Sequence, residues 1–414
     1  MPTSADPPND SNIIIRALPT LTPDLHERAW SSSPHPTLPL LATVHAKSVT
    51  VFSLSSLTSH STLQGGHTRS VRSAAWKPNL PPNKLCLVTG SFDSTAGLWR
   101  WDDDAAREKE VTAHGDDDDD GEGKDWEFTL VLEGHDSEIK SCAFSPSGAH
   151  LATSSRDKSI WIWEDIGASE SDDEWETIAV LTEHEGDVKQ LAWCPDVPNR
   201  KGRKNTYGSD VLASASYDDT VRVWREDSDA EWVCVSVLEG HGGTVWGVEW
   251  EGRERSDGKF PRLLTYSADG TLKIWTLDEQ DDEEDGHGAP AERERNPLGG
   301  IPNTMRRSLK EDWRCTATLP KVHDTDVYSA TWSRTTGLVA STGSDGKLAL
   351  YKEKTAEDGS AEWEVLEVRE NAHGPFEVNH VTWCKRWDGG RGGLEEMLVS
   401  TGDDGIVRPW EVVV

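Results

Sequence analysis

Hydrophobic and polar residues alternate along short stretches of this chain, and the stretches recur at a regular spacing. The segment Glu133–Trp163 shows the design. A Gly-His pair follows its first residue, an alternating run ends at Phe144, a second run leads into a small-residue turn at Asp157, and a third ends at Trp163. Because alternation with a period of two is typical of half-buried β-strands, the segment predicts three strands joined by tight turns.

The same design occurs six times along the chain. The opening His residues are His67, His135, His184, His241, His323 and His373. The turn Asp residues are Asp93, Asp157, Asp218, Asp269, Asp345 and Asp404. The closing aromatic residues, each six positions after its Asp, are Trp99, Trp163, Trp224, Trp275, Tyr351 and Trp410. We expect each Asp to accept hydrogen bonds from its turn and from the His, because buried polar groups need partners.

These repeats resemble those of the WD40 family, in which a repeat corresponds to a four-stranded blade of a β-propeller. The 20 Trp residues, against 6 Phe and 5 Tyr, suit a fold with a repeated slot for one large side chain. A seventh, degenerate repeat precedes the six, since segments 26–30, 38–44 and 48–54 also alternate like strands. Ala46 stands where the other repeats have Asp, so that blade lacks the turn carboxylate.

The resemblance implies an all-β chain, a seven-bladed WD40 β-propeller closed by the N-terminal strand. The chain ends at Val414, just after the third strand of the last repeat, so the segment Ser11–Leu18 is available as the missing outer strand. Closing the ring in this way removes an exposed sheet edge. We therefore expect one domain over residues 11–414, preceded by a disordered N-terminus over residues 1–10.

The charge of the chain is concentrated in insertions. In a WD40 blade the loops around the His and the Asp lie on the top face, and the loops after the first and third strands lie on the bottom face. Acidic bottom-face insertions are predicted at about 102–125, 164–176 and 278–311. The five loops after third strands carry −31 of the net charge of −32, so the ring itself is close to neutral. Such runs are typical of solvated loops, and a basic partner for this face is the alternative.

Several classes of function are disfavoured by the sequence. No apolar run approaches the roughly 18 residues of a membrane span. An acidic surface repels phosphates, which argues against direct binding of nucleic acid. The sequence has neither a Gly-rich phosphate loop nor a nucleophile elbow. We therefore expect a protein that is not an enzyme and does not enter a membrane.

The six cysteines are scattered along the chain, at Cys86, Cys142, Cys194, Cys234, Cys315 and Cys384. Because cluster binding usually needs several thiolates at close spacing, we interpret these residues as buried apolar thiols in a reducing compartment. We expect no bound cofactor or metal. The polar N-terminus does not have the features of a signal peptide, which favours a cytoplasmic location. The basic run Asn199–Lys204 is either a solvated bottom loop or a nuclear signal, so a nuclear location stays open.

Two positions per blade are expected to point upward from the short top-face loops: the residue before the turn Asp, and the residue after the first buried position of strand one. Four of these residues are cationic and lie on adjacent blades two to four, namely Arg72, Lys140, Arg156 and Lys189. Aromatic residues flank them, namely Phe92, Tyr217, Trp246 and Tyr328. Such a surface suits a carboxylate-bearing peptide with an aromatic anchor. The alternative is that some of these side chains only pack against neighbouring loops.

The resemblance extends beyond WD40 repeats in general. The segments Leu151–Glu164, Val211–Asp227 and Trp232–Trp246 resemble the eukaryotic WD40 proteins of cytosolic iron–sulfur protein assembly, and the long acidic insertions suggest a fungal member. The resemblance implies a non-catalytic scaffold in the complex that delivers iron–sulfur clusters to apoproteins. It implies a DUF59-type subunit, a HEAT-repeat subunit, an iron-only-hydrogenase-like cluster carrier and apo iron–sulfur clients as partners. Some clients and adaptors of that complex end in a short acidic-aromatic tail, and the family's top-face Arg in a Ser-Arg-Asp-Lys motif matches Arg156.

Two other functions remain open at this point. A WD40 substrate receptor of a ubiquitin ligase usually carries Asp and then Arg after the Trp that closes a blade. Here Trp224 is followed directly by Arg225, so the motif is imperfect. A propeller enzyme would need acid–base groups or metal ligands converging on the central channel, and the sequence indicates none.

Overall fold

The computed structural model describes residues 14–102, 126–169, 172–196, 211–227, 230–253, 262–278, 310–355 and 361–413. Within these ranges the chain forms 28 β-strands and one turn of 3-10 helix at Asp388–Gly390. The first strand, β1, is Ile14–Ala17. Blade one consists of β2 (Ala29–Pro34), β3 (Leu40–His45), β4 (Ser48–Ser53) and β5 (Thr58–Leu63). Blade two consists of β6 (Val71–Trp76), β7 (Lys84–Ser91), β8 (Ala96–Asp102) and β9 (Glu127–Leu132). Blade three consists of β10 (Ile139–Phe144), β11 (His150–Ser155), β12 (Ile160–Asp165) and β13 (Trp175–Leu181). Blade four consists of β14 (Val188–Trp193), β15 (Val211–Ser216), β16 (Val221–Glu226) and β17 (Trp232–Leu238), and blade five of β18 (Val245–Trp250), β19 (Arg262–Ser267), β20 (Leu272–Leu277) and β21 (Trp313–Thr318). Blade six consists of β22 (Val327–Trp332), β23 (Val339–Gly343), β24 (Leu348–Thr355) and β25 (Ala361–Arg369). Blade seven consists of β26 (Val378–Arg386), β27 (Glu395–Gly402), β28 (Val407–Val413) and the N-terminal strand β1.

Each blade is a four-stranded antiparallel sheet in which consecutive strands pair. The first strand of blades one to six, and β26 in blade seven, lies innermost. The inner strands of neighbouring blades contact one another around the whole ring, including β26 with β2. The predicted all-β, seven-bladed propeller is therefore confirmed.

The N-terminal strand closes the ring, as predicted. β1 pairs antiparallel with β28, with Ile14 opposite Val413 and Ala17 opposite Trp410. Ile15 points into the interior and is only 3% exposed, and burial of a side chain of this size contributes roughly 1.5–3 kcal/mol to folding. The predicted segment began at residue 11, and residues 11–13 lie outside the described residues.

The hydrophobic core is divided into seven clusters, one between each pair of neighbouring blades. The cluster between blades four and five is typical: Val223 of one blade and Leu263 and Trp275 of the next are all buried in it. A sheet buries its faces against its two neighbours, so no blade has a core of its own. The arrangement explains why the closing aromatic residue recurs in every blade.

Blade one keeps the strand pattern without the turn Asp. Ala46 lies in the turn with a positive φ of 41°, and His45 Nε2 is 2.9 Å from Thr50 Oγ1. Phe52, six positions after Ala46, is fully buried in the slot that holds Trp or Tyr in the other blades. A hydrophobic side chain in the closing slot is therefore sufficient to seat this blade in the ring.

The acidic insertions are described only in part. Residues 1–10 lie outside the described residues, as do the insertion at 102–125 apart from Asp102 and the insertion at 278–311 apart from Asp278 and residues 310–311. The insertion at 164–176 is mostly described, since β12 ends at Asp165 and β13 begins at Trp175. Among the described residues, no helix has the length and hydrophobicity needed to span a membrane.

Candidate partner-binding surface on the top face

A hydrogen-bond network in six of the blades holds the top-face loops in place. In blade four, His184 Nδ1 lies 2.7 Å from Asp218 Oδ2, and His184 Nε2 lies 2.7 Å from Ser214 Oγ. The indole of Trp224 donates to the same Ser214 hydroxyl over 2.8 Å. Asp218 also accepts bonds from the hydroxyl of Thr220 at 2.6 Å and from a backbone N–H of the loop. The network therefore links the loop before the blade to the turn within it.

The protonation state of this network follows from its environment. Burial alone would raise the pKa of Asp218, but hydrogen bonds from His184 and Thr220 outweigh it and hold that pKa well below its usual range. Burial lowers the pKa of His184, so the ring is neutral at physiological pH. Because an ionised carboxylate only accepts hydrogen bonds, Nδ1 of His184 carries the proton and the hydroxyl of Ser214 donates to Nε2.

The serine or threonine of the network was missed by the sequence reasoning. It lies four positions before each turn Asp, so its spacing is as regular as that of the other members. The six hydroxyl residues are Thr89, Thr153, Ser214, Thr265, Ser341 and Ser400. Blade one has Ala42 at this position, which matches its loss of the turn Asp.

Cationic side chains of blades two to four lie over aromatic rings on this rigid face. Lys140 Nζ lies 4.3 Å from the centre of the Phe92 ring. Lys189 Nζ lies 5.2 Å from the ring centre of Tyr217 and 5.3 Å from that of Trp246. These are cation–π contacts. They fix the ammonium groups in position.

The central channel opens between these residues. It has a volume of about 420 Å³. Five of the eight predicted surface residues line it, namely Arg72, Lys140, Lys189, Trp246 and Tyr328. Trp246 and Tyr328 meet edge to face, with ring centres 5.3 Å apart. Burial raises the pKa of Tyr328 to about 12, and the charges of Glu377 and Asp326 add to the shift, so this side chain offers a neutral phenol.

A second, smaller depression of about 280 Å³ lies between blades three and four. Its lining comprises Glu138, Lys140, Arg156, Asp187 and Tyr217. The side chain of Arg156 is 59% exposed and lies 3.7 Å from Glu138 Oε1. Tyr217 is 60% exposed. An accessible guanidinium and an accessible phenol ring therefore share one concave surface.

Carboxylates are interspersed among these cations, and the sequence reasoning did not include them. Lys140 Nζ lies 2.6 Å from Glu138 Oε2, and Lys189 Nζ lies 3.2 Å from Asp187 Oδ2. The hydrogen bond from Lys140 is the largest cause that lowers the pKa of Glu138. Each carboxylate lies two residues before its lysine, so the pattern was present in the sequence. The surface therefore has alternating charges rather than uniform positive charge.

The cysteines are spread over several blades, and Cys142 lies on the wall of the central channel. Cys86, Cys142, Cys194 and Cys384 are buried, in agreement with their interpretation as apolar thiols. Burial raises the pKa of Cys86 to about 12. That interpretation was wrong for Cys315, which lies exposed on the outer strand β21. In the described parts of the chain, His, Cys, Asp and Glu side chains form no group of three that could hold a metal ion.

Comparison with known proteins identifies the repeats. A family model described as WD domain, G-beta repeat matches this chain at residues 57–100, 126–164, 175–225, 232–276 and 313–352. Each match begins at or near the outer strand of one blade and ends in or just after the third strand of the next. Each repeat of the sequence therefore bridges two blades, and the repeats interlock around the ring.

Three relatives from fungi match the chain over almost its full length. The relative from Pyricularia oryzae is 58% identical over 439 aligned residues, which cover 97% of each chain. The relative from Neurospora crassa is 56% identical, with 99% of this chain and 98% of its own covered, and that from Chaetomium globosum is 54% identical, with 99% of each covered. All three are named probable cytosolic iron-sulfur protein assembly protein 1. The chain therefore belongs to the cytosolic iron-sulfur protein assembly protein 1 family of WD40 β-propellers.

Proposed function

We propose that this chain is a non-catalytic scaffold of the cytosolic iron–sulfur protein assembly machinery. In this role it binds partner subunits and apoprotein clients in the cytoplasm, so that clusters can be inserted into the clients. The names of its fungal relatives support a role in this process. Its partners are a DUF59-type subunit, a HEAT-repeat subunit, an iron-only-hydrogenase-like cluster carrier and apo iron–sulfur proteins.

The depression between blades three and four carries the proposal. Arg156 and Tyr217 are each more than half exposed there, while Lys140 and Lys189 are held over aromatic rings beside them. A guanidinium pairs with a carboxylate through two parallel hydrogen bonds, and an exposed ring offers a stacking surface. The surface thus suits a short tail that combines acidic and aromatic residues. Phe92, Trp246, Tyr328 and Arg72 complete the binding surface around the channel mouth.

The roles of the potentially catalytic side chains support a scaffold over an enzyme. The six repeat histidines are each bonded to a turn Asp and to a Ser or Thr hydroxyl, as His135 is to Asp157 and Thr153. Burial raises the pKa of Cys142 and of Cys384. A nucleophilic cysteine needs the opposite shift.

The ubiquitin-ligase receptor is the weaker alternative. It depends on presentation of an arginine that follows a closing Trp, which is Arg225 in this chain. Arg225 NH1 lies 3.1 Å from Glu311 Oε1, and both side chains are only 12% exposed. The guanidinium is therefore engaged within the chain.

The proposal is tested by affinity purification from native extract, with wild type compared with Arg156→Glu. We expect wild type to recover the DUF59-type and HEAT-repeat subunits and the variant to lose clients or one subunit. Arg314→Glu is the matched control, because that side chain is 63% exposed and also ion-paired but lies on the outer strand of blade five. All three proteins should unfold at the same temperature. Recovery of the same partners by wild type and Arg156→Glu would reject the binding surface, and recovery of ligase subunits alone would reject the scaffold role.

A further inference from the structure

The inner-strand cations of blades two to four differ in how their charges are balanced. Lys140 and Lys189 each have a carboxylate two residues earlier on the same strand or loop, at Glu138 and Asp187. Blade two breaks this pattern, since Ser70 lies two residues before Arg72. A serine hydroxyl cannot neutralise a guanidinium.

No other described side chain replaces the missing carboxylate. Among the residues that the structure describes, the guanidinium of Arg72 forms no ion pair and no hydrogen bond. It lies over the ring of Trp30, with Cζ 4.9 Å from the ring centre. Arg28 lies at the same distance from that ring, but its charge is balanced by Asp403 at 2.5 Å. Arg72 is therefore the unmatched cation of this cluster.

The position of Arg72 makes this lack of a partner significant. The side chain lines the central channel, where burial, together with the charge of Arg28, lowers its pKa to about 10. It remains a cation at physiological pH, and its side chain is only part-buried. An anion that pairs with it would offset the cost of its partial loss of water. Glu249 also lines the channel, but it forms no ion pair with Arg72 among the described residues. Its Oε1 accepts a hydrogen bond from Thr331 at 3.4 Å, and burial raises its pKa to about 7. The Tyr266 hydroxyl donates its hydrogen bond to Gln190 Oε1 at 2.5 Å.

We propose that Arg72 binds one carboxylate group of the partner segment that docks on the top face, and that this carboxylate enters the mouth of the central channel. This inference rests on the proposed function and specifies which residue recognises a carboxylate of the acidic tail. Among the cations that line the channel, Lys140 and Lys189 pair with Glu138 and Asp187, so Arg72 is the one left to bind a carboxylate at the channel mouth. Arg156, which shares Glu138 with Lys140, belongs to the adjoining depression. A planar guanidinium held on an aromatic ring presents its N–H groups in a fixed plane, which suits a planar carboxylate.

The probe is a fluorescein-labelled peptide, Gly-Gly-Ser-Glu-Asp-Trp, whose binding is measured by fluorescence polarisation. Three further peptides each lack one negative charge, through Gln for Glu, Asn for Asp, or a C-terminal amide. We expect one of these changes to weaken binding to wild type by about tenfold or more, the size of a charge-assisted bidentate contact. Arg72→Gln should bind the parent peptide more weakly by a similar factor and should be insensitive to that same change.

Arg28→Gln is the matched control, because Arg28 lies on the same ring but has Asp403 as its partner. It should keep the response of wild type to the neutralised peptides. Arg72→Gln must unfold at the same temperature as wild type for the comparison to hold. If Arg72→Gln binds the parent peptide as wild type does, or still responds to every lost charge, the proposal is overturned.

A second measurement separates this site from the proposed tail. Sodium malonate, added at constant ionic strength, should raise the melting temperature of wild type and of Arg28→Gln but not that of Arg72→Gln. If malonate discriminates in this way while no peptide binds, the carboxylate site stands and the acidic-aromatic tail of the proposed function is rejected. If malonate stabilises all three proteins equally and no peptide binds, Arg72 is not a carboxylate site.

Discussion

Trp246 donates a hydrogen bond from its indole Nε1 to Asp326 Oδ2 across 3.0 Å, and this contact joins blade five to blade six at the top face. The same indole ring lies 5.3 Å from the ammonium of Lys189 in blade four. A single side chain thus connects three consecutive blades beside the channel. Its orientation depends on Asp326, which the sequence alone did not connect with it.

Replacement of Asp326 by Ala is expected to lower the free energy of unfolding by about 1 kcal/mol, because the indole N–H loses its acceptor. Asp326→Asn retains a carbonyl oxygen and should cost less. Urea denaturation of both variants measures the difference. In a Trp246→Phe background the effect of Asp326→Ala should largely disappear, as a double-mutant cycle tests. Equal costs in both backgrounds would show that the two side chains are not coupled.

Two carboxylates of the acidic insertion at 164–176 are structural rather than merely solvated. Asp173 accepts three hydrogen bonds from Arg100 of blade two, at 2.8 and 2.9 Å from Nε and 2.5 Å from NH2. Both side chains are at most 15% exposed. Asp165 lies 2.5 Å from Lys77 Nζ, also of blade two. The insertion therefore ties blade three to its neighbour through ion pairs.

Replacing a carboxylate of this insertion by a neutral amide shows whether that carboxylate stabilises the fold or is only solvated. Asp173→Asn should destabilise the protein by about 1–3 kcal/mol, because it leaves the charge of Arg100 partly buried without its carboxylate. Asp172→Asn, at the exposed neighbouring position, should change stability by no more than about 0.5 kcal/mol. Thermal and urea unfolding of the two variants provide the comparison. If both variants matched wild type, the ion pair would contribute nothing to stability.

The spacing of His, Asp and closing aromatic residues predicted six blades, and alternation of hydrophobic and polar residues predicted the degenerate seventh. The closing strand was predicted because the last repeat has only three strands of its own. The repeating network was only partly predicted, because a Ser or Thr such as Thr153 is unremarkable within a strand until its distance from Asp157 is compared across blades. The missing carboxylate partner of Arg72 could also have been predicted from Ser70, which stands where blades three, four, six and seven carry an acidic residue.

Contacts between side chains of different blades could not be predicted from the sequence pattern. Alternation predicts which way a side chain points along its own strand, but it does not predict which residue of another blade it meets. The pairs Trp246–Asp326 and Arg100–Asp173 therefore required the structure. The eight predicted surface residues were chosen by position within a blade, which is why their carboxylate neighbours were overlooked.

Removal of residues 1–18 should lower the melting temperature, because it exposes the edge of β28 and the cluster around Ile15. Ile15→Ala tests the packing alone and should cost about 2–5 kcal/mol of unfolding free energy. Removal of residues 1–10 is the control, and we expect it to leave the melting temperature unchanged. If the variant that lacks residues 1–18 had the same melting temperature as wild type, closure of the ring by this strand would be contradicted.

His380 lines the same channel as Arg72, and its Nδ1 accepts a hydrogen bond from the backbone N–H of Ser32 at 3.4 Å. Burial, together with the nearby charge of Arg72, lowers the pKa of His380 to about 4. The unfolded chain binds a proton at this position below pH 6.5, whereas the folded protein does so only near pH 4. Stability should therefore fall as the pH drops through this window.

Other buried histidines act in the same direction, so the contribution of His380 has to be isolated by comparison. His380→Asn should lose less stability than wild type between pH 6.5 and 4, by up to about 1.4 kcal/mol per pH unit for one proton. Urea denaturation at several pH values measures this slope. Arg72→Gln should raise the pKa of His380, as an NMR titration of the ring would show. An unchanged pKa in that variant would mean that the guanidinium does not lie near this ring, and it would remove the basis for placing a carboxylate there.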